Sequence, residues 1–145
     1  MKKRRIKIKK ACKSLPSYKT PSSSGCDLVA NISERIELLP GEGVIIPTGI
    51  SIALPDGFEA QVRGRSGLNF SDDIVCPVGT IDADYRGEIK VKLYNLSKKP
   101  YIIMPQERIA QLVICPVVQA EWDEVQMLES DTERGTDGFG STGRI

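Results

Sequence analysis

The 145 residues include no histidine. Any general base must therefore be a carboxylate, a lysine, a tyrosine or a cysteine. The four cysteines, Cys12, Cys26, Cys76 and Cys115, stand far apart with no CxxC pair, which leaves no ligand set for a structural zinc ion. Aromatic residues make up only 6% of the chain. A nucleic-acid-binding barrel would want several of them on one basic face, so no nucleic-acid partner is expected. No apolar run approaches the roughly 20 residues of a membrane span, and no signal-peptide core follows the basic start. A cytoplasmic, reduced protein with no membrane partner is expected. The phosphate-loop pattern GxxxxGK[ST] is missing. The net charge of +1 exerts no global pull toward polyanions.

The charge is uneven along the chain. Residues 1–20 carry Lys2, Lys3, Arg4, Arg5, Lys7, Lys9, Lys10, Lys13 and Lys19 without one acid. Ile6 and Ile8 alternate with Lys7 and Lys9, which reads as a solvated first strand. Residues 121–134 carry Glu121, Asp123, Glu124, Glu129, Asp131 and Glu133 against Arg134. Between these ends, short apolar stretches are cut by proline and glycine roughly every 8 to 12 residues, the rhythm of a sandwich or barrel. Strands are expected over 5–11 and 27–31, in pairs over 35–47 and 48–68, and over 73–82, 87–95, 99–105 and 109–122. Residues 15–26 read as a loop, and a short helical turn is possible near 68–72. One domain over 1–122 is expected, followed by a polar, glycine-rich mobile arm over 123–145.

Five stretches carry polar residues that a plain β core does not need. They are SSGCDLVA (23–30), VRGRSGL (62–68), GTIDADYRGEIKV (79–91), MPQERIAQLV (104–113) and RGTDGFGSTG (134–143). Each has a bland account as a turn or an edge. Together they pair glycines with arginine, aspartate, serine and glutamine, the donors and acceptors that suit a polyanion and a hydrated hard cation.

In order and spacing these five stretches resemble the five motifs of the trimeric dUTPases, a likeness that spans about 15–143. The resemblance implies an all-β fold, a distorted jelly-roll β-barrel with a flexible C-terminal arm, assembled as a homotrimer with shared active sites. It implies hydrolysis of dUTP to dUMP and pyrophosphate with Mg²⁺ as cofactor. Asp82 would activate the water that attacks the α-phosphate, and Asp27 would hold Mg²⁺ through water. Arg65, Ser66, Gly67 and Gln111 would contact phosphates. Tyr85 would pack on the deoxyribose and exclude a 2′-hydroxyl, with Asp84 holding its turn. Cys76, Gly79, Thr80 and Ile81 would surround uracil, and Lys90 would also contact substrate. From the arm, Arg134, Phe139, Gly140, Ser141 and Thr142 would close over the nucleotide. The related dCTP deaminases resemble this chain less, because Asp82-Ala83-Asp84-Tyr85 departs from their pattern.

Four positions depart from the commonest dUTPase pattern. Gly64 replaces a proline and should loosen its loop. Cys76 replaces an asparagine beside uracil. Gln106 replaces a glycine, and Asp137 replaces a glycine in the arm and is expected to point to solvent.

Overall fold

Antiparallel pairing builds nearly all the regular structure. The computed structural model describes residues 3–128, 132–133 and 135–136. Its strands are β1 (Lys7–Lys10), β2 (Ser17–Tyr18), β3 (Gly25–Val29), β4 (Ile36–Leu38), β5 (Gly43–Ala53), β6 (Phe58–Arg63), β7 (Ile74–Val75), β8 (Gly79–Ile81), β9 (Ile89–Asn95), β10 (Tyr101–Ile103) and β11 (Arg108–Pro116). One short helix, α1 (Ser66–Ser71), follows β6. A four-stranded sheet has the order β1-β5-β9-β7, a five-stranded sheet the order β2-β3-β11-β6-β8, and β10 pairs with β4. This is the all-β, jelly-roll type of fold that was expected.

The period-2 pattern explains the strands. In β9, Ile89, Val91, Leu93 and Asn95 are buried, while Lys90, Lys92 and Tyr94 alternate with them on the other face. Their inward side chains meet Leu28, Ile46 and Ile50 in the core. Asn95 occupies an apolar position and is fully buried. Its Nδ2 donates to the carbonyls of Leu38 and Lys99, both at 2.8 Å, and its Oδ1 accepts from Ser97 N at 2.9 Å. A buried amide so fully paired ties β9 to β4 rather than weakening the core.

Four expectations about the elements need correction. The single strand expected over 73–82 is split, with β7 in the four-stranded sheet and β8 in the five-stranded one on either side of Cys76-Pro77-Val78. β5 runs unbroken through Pro47 and Thr48, where the sequence suggested two strands. A bulge between Pro47 and Ile50, with Gly49 at φ +70°, absorbs the irregularity. The Thr48 hydroxyl donates to Ile89 O at 2.6 Å and accepts from Ile50 N at 3.3 Å, which replaces the missing ladder bonds. The expected loop over 15–26 contains β2 and the first residues of β3. The last strand ends at Pro116 instead of residue 122. Val117 N still donates to Gly57 O, but Val118 and Trp122 are 97% and 90% exposed.

Candidate active site

Neighbouring strands of the five-stranded sheet assemble one polar cluster. Asp27 on β3 lies in register with Gln111 on β11, and Gln111 with Arg63 on β6. Beyond Arg63, Gly64 and Arg65 lead into α1. Arg65 Nε lies 3.5 Å from Asp27 Oδ1, and Arg108 Nη1 donates to Asp27 Oδ2 at 3.2 Å. Arg65 Nη1 also donates to the Arg108 carbonyl at 2.8 Å, and Gln111 Nε2 to the Gly64 carbonyl at 3.0 Å. Gly25 makes room for this last contact, because a Cβ there would sit 2.6 Å from Gln111 Oε1. One carboxylate thus faces two guanidinium groups, which leaves an excess of positive charge. The Arg108 side chain is 47% exposed. A pair so open to water contributes about 0–1 kcal/mol, so it orients the arginines without locking them. An arriving polyanion can take over their donors.

Ser66 and Gly67 open α1 and are exposed. The first N–H groups of a helix have no intrahelical acceptor, and no side chain caps this one. A Cβ on Gly67 would meet nothing within 4 Å, so no neighbour among the described residues demands glycine there.

The second group of site residues follows β8. This edge strand pairs Gly79 with Val62, Thr80 with Gln61 and Ile81 with Ala60. Cys76, just before it, is half-buried, and burial pushes its thiol up to about 11. It therefore stays neutral, and its Sγ approaches Pro77 O at 3.4 Å. Asp82 is exposed at the far end of β8, where Tyr85 N donates to the Asp82 carbonyl at 3.2 Å. The Tyr85 hydroxyl donates to Glu88 O at 3.1 Å. Its ring lies over Gly87, where a Cβ would come 2.5 Å from Tyr85 Cζ. Arg86 Nη1 donates to Ala83 O at 2.6 Å and to Tyr85 O at 2.9 Å. The arginine therefore holds this turn. Among the described residues the Asp84 carboxylate makes no hydrogen bond, contrary to the role expected of it. Lys90 is exposed on β9. An open cleft of about 880 Å³ beside Asp82 is lined by Asp56, Glu59, Asp82, Asp84 and Arg86 among others. Its acidic lining alone repels a triphosphate.

On one chain the two groups touch where Gly64 faces Cys76, at 3.5 Å from an added Cβ, but Asp82 stands apart from Arg65. Ile81 pairs with Ala60 near the start of β6, whereas Arg65 lies beyond its end. At about 3.3 Å per strand residue, Asp82 and Arg65 are separated by roughly 20 Å. Arg134, Phe139, Gly140, Ser141 and Thr142, and Asp137 with them, lie outside the described residues. The sequence marked Arg108 within its motif but assigned it no role, and only its approach to Asp27 reveals one.

An all-β protein of jelly-roll type with an arginine-rich cluster and a separate exposed carboxylate has the donors that a polyanionic substrate needs. Comparison with known proteins specifies the family. The dUTPase family model matches residues 12–143, and the chain belongs to that family. It is 52% identical over 132 residues to the deoxyuridine 5′-triphosphate nucleotidohydrolase of Chlamydia muridarum, covering 90% of this chain and 91% of that protein. The dUTPase of Staphylococcus bacteriophage 80alpha with dUPNHPP superposes with a TM-score of 0.84 at 27% identity, covering 97% of this chain and 99% of that one. A mutant dUTPase from phage phi11 of S. aureus, whose structure details the coordination of a structural Mg(II) ion, shares the fold with a TM-score of 0.77 at 21% identity, covering 86% and 98% of the two chains.

Proposed function

We infer that this chain hydrolyses dUTP to dUMP and pyrophosphate, in a site completed between copies of itself. The observation that carries the reading is the pairing of an excess-positive cradle, Asp27–Arg65–Arg108–Gln111, with an exposed Asp82 on the uracil-side hairpin, within the dUTPase family. The cradle residues, with Ser66 and Gly67, take the phosphates. Among the described residues nothing gives Gly67 a steric reason to lack a side chain, which supports a close approach there by another group. Asp82 accepts a proton from the water that attacks the α-phosphorus, and no histidine competes for that role. The backbone of Gly79, Thr80 and Ile81 reads the base. A pattern of paired donors and acceptors rejects the wrong base by ~10⁴-fold, because a mismatch leaves buried groups unpaired. Cys76, a neutral thiol, adds little to that readout. Tyr85, seated on Gly87, blocks a 2′-hydroxyl, and Lys90 contacts substrate. Arg134, Phe139, Gly140, Ser141 and Thr142 close the arm of 123–145 over the bound nucleotide, while 1–122 form the barrel.

The residues fit Mg²⁺ held through water. Among the described residues no three His, Cys, Asp or Glu side chains converge on one point. A direct protein cage is therefore absent there, and Asp27 stands as the single carboxylate of the cradle. Mg²⁺ keeps several waters and combines few carboxylates with substrate phosphates, a donor set that Asp27 can complete. When bound, the ion offsets charge on the triphosphate.

A homotrimer with shared sites is supported by the separation of roughly 20 Å between Asp82 and Arg65. The acid-lined cleft supports it too, since arginines from another copy would neutralise it. Val118, Trp122, Met127 and Leu128, interleaved with polar residues, are each more than 80% exposed, and a neighbouring copy would cover them. A cytoplasmic setting accompanies this reading. The test is pyrophosphate release with Mg²⁺ from dUTP beside dCTP, dTTP and UTP, with Asp82→Asn as control. Release from dUTP alone, lost in the control, is expected. Ammonia from dCTP would replace the reading with deamination.

A further inference from the structure

We propose that Glu107, held by Tyr101, is the positioning residue that sets Arg108 and Arg65 for phosphate binding. The proposal deepens the reading of this site as a dUTP hydrolase and rests on it.

Arg108 opens β11 at an irregular place. Its register partner is Val29, but the next pair is Ala110 with Leu28, so a bulge interrupts the ladder beside it. A strand normally aims its side chains through an unbroken ladder, and a bulge re-aims them. The direction of Arg108 must therefore be fixed from the preceding turn. That turn is itself unfavourable, because Gln106 adopts φ +63°, a left-handed conformation that costs a non-glycine residue.

Glu107 supplies the restraint. Its backbone N donates to Met104 O at 3.1 Å, and its Oε2 accepts from Met104 N at 2.8 Å. The carboxylate thus closes the turn that its own backbone begins. Its Oε1 accepts from the Tyr101 hydroxyl on β10. Both carboxylate oxygens thus accept from groups of the turn and of β10. The backbone then pins the turn to the end of β3. Ala30 N donates to Glu107 O, and Gln106 N to Ala30 O, both at 2.8 Å. Ala30 is three residues beyond Asp27.

The output of this brace is the cradle. The residue after Glu107 offers its carbonyl to Arg65 Nη1 and its guanidinium to Asp27. Two arginines from distant parts of the sequence are therefore referenced to one short turn. Tyr101 is a durable donor to it. Burial, and next the hydrogen bond and charge of Glu107, hold its hydroxyl above the usual tyrosine range, so it keeps its proton wherever the enzyme works. Tyr101 and Glu107 touch no substrate in this account. They act through Arg108 and Arg65.

The test compares the full-length wild type with Tyr101→Phe, Glu107→Gln and Glu107→Ala. The probes are pyrophosphate and dUMP, titrated calorimetrically with Mg²⁺ well below the lowest thermal midpoint, together with KM and kcat for dUTP. The cradle holds the phosphates that become pyrophosphate, whereas the hairpin holds the nucleoside. Glu107→Ala should weaken pyrophosphate binding on the order of tenfold to a hundredfold, the scale of an ångström-level misplacement. Tyr101→Phe should weaken it about threefold to tenfold, the loss of one hydrogen bond to a charged group. Glu107→Gln should fall between wild type and Glu107→Ala. The affinity for dUMP should move less than about twofold in each case, since distant groups respond independently. A merely structural role would weaken both ligands alike. Equal losses for pyrophosphate and dUMP, or unchanged pyrophosphate affinity in Glu107→Ala, would overturn the proposal. Should Glu107→Ala fail to fold, Tyr101→Phe, which removes one oxygen, decides it by the same two criteria. A wild type that hydrolyses dUTP beside insensitive variants removes only this inference. A wild type that does not hydrolyse dUTP removes the function beneath it.

Discussion

Mixing two inactive variants tests the shared site quantitatively. Asp82→Asn removes the proposed base, and Arg65→Ala removes a cradle arginine. Loss of one transition-state donor typically costs ~10²–10³ in rate, so each variant alone should retain no more than about 1% of wild-type activity. Asp82 and Arg65 lie at opposite ends of β6, roughly 20 Å apart at 3.3 Å per residue, and the proposed shared site draws them from different copies. In a closed symmetric assembly refolded from an equal mixture, the copy that donates Asp82 is intact there about half the time. The copy that donates Arg65 is independently intact there about half the time. About one quarter of sites therefore recover both residues, whatever the number of copies in the ring. The assay is pyrophosphate release from dUTP with Mg²⁺, before and after co-refolding. Recovery to about 25% of wild type is expected against the background of about 1%. A mixture no more active than the mean of its two components would refute the reasoning, because a site confined to one chain cannot be restored by exchange.

Other consequences are local. Gly87→Ala would place a methyl carbon 2.5 Å from Tyr85 Cζ and force the ring to move. Turnover of dUTP should fall on the order of tenfold while UTP gains relative to it, and an unchanged UTP-to-dUTP ratio would deny Tyr85 the sugar gate. Gly64 does not have a positive φ, and a Cβ there would lie 3.5 Å from Cys76 Cβ, an ordinary contact. Gly64→Ala should raise stability by about 0.4–1 kcal/mol through the unfolded chain, visible as a higher thermal midpoint. Gln106→Gly relieves a left-handed residue worth about 1–2 kcal/mol at a glycine entropy cost of roughly 0.5–1. Urea unfolding should show a net gain of up to about 1 kcal/mol, and a net loss would mean that the Gln106 side chain contributes more than its conformation costs. Burial raises the Cys76 thiol to about 11. At pH 8 its alkylation should therefore run about 100-fold slower than in the unfolded chain. The unfolded chain releases this proton first, so the thiol leaves stability untouched below the ordinary thiol range and lowers it as the pH climbs toward 11.

Much of this molecule was legible in its residues, and for local reasons. The alternation in IKVKLYN specifies β9 without any knowledge of its neighbours, and the glycines around Arg65 and Tyr85 stand out because they sit beside charged and aromatic side chains outside the strands. Long-range pairing was less legible. The unbroken course of β5 depends on the Thr48 hydroxyl reaching Ile89, 41 residues away, and no window of sequence contains that bond. Arg108 was marked within its motif but had no role until the β3–β11 register brought it to Asp27 across 81 positions. The same limit hid the spacing of Arg65 and Asp82 within one chain. Arg65 and Asp82 are close in sequence and share a hairpin-like segment, which invites one to place them side by side. The register of Ala60 with Ile81 decides otherwise, because it points the chain after β8 back toward Phe58 while the chain after β6 leaves in the opposite direction. Two residues only 17 positions apart along the chain are thereby sent to opposite ends of one strand.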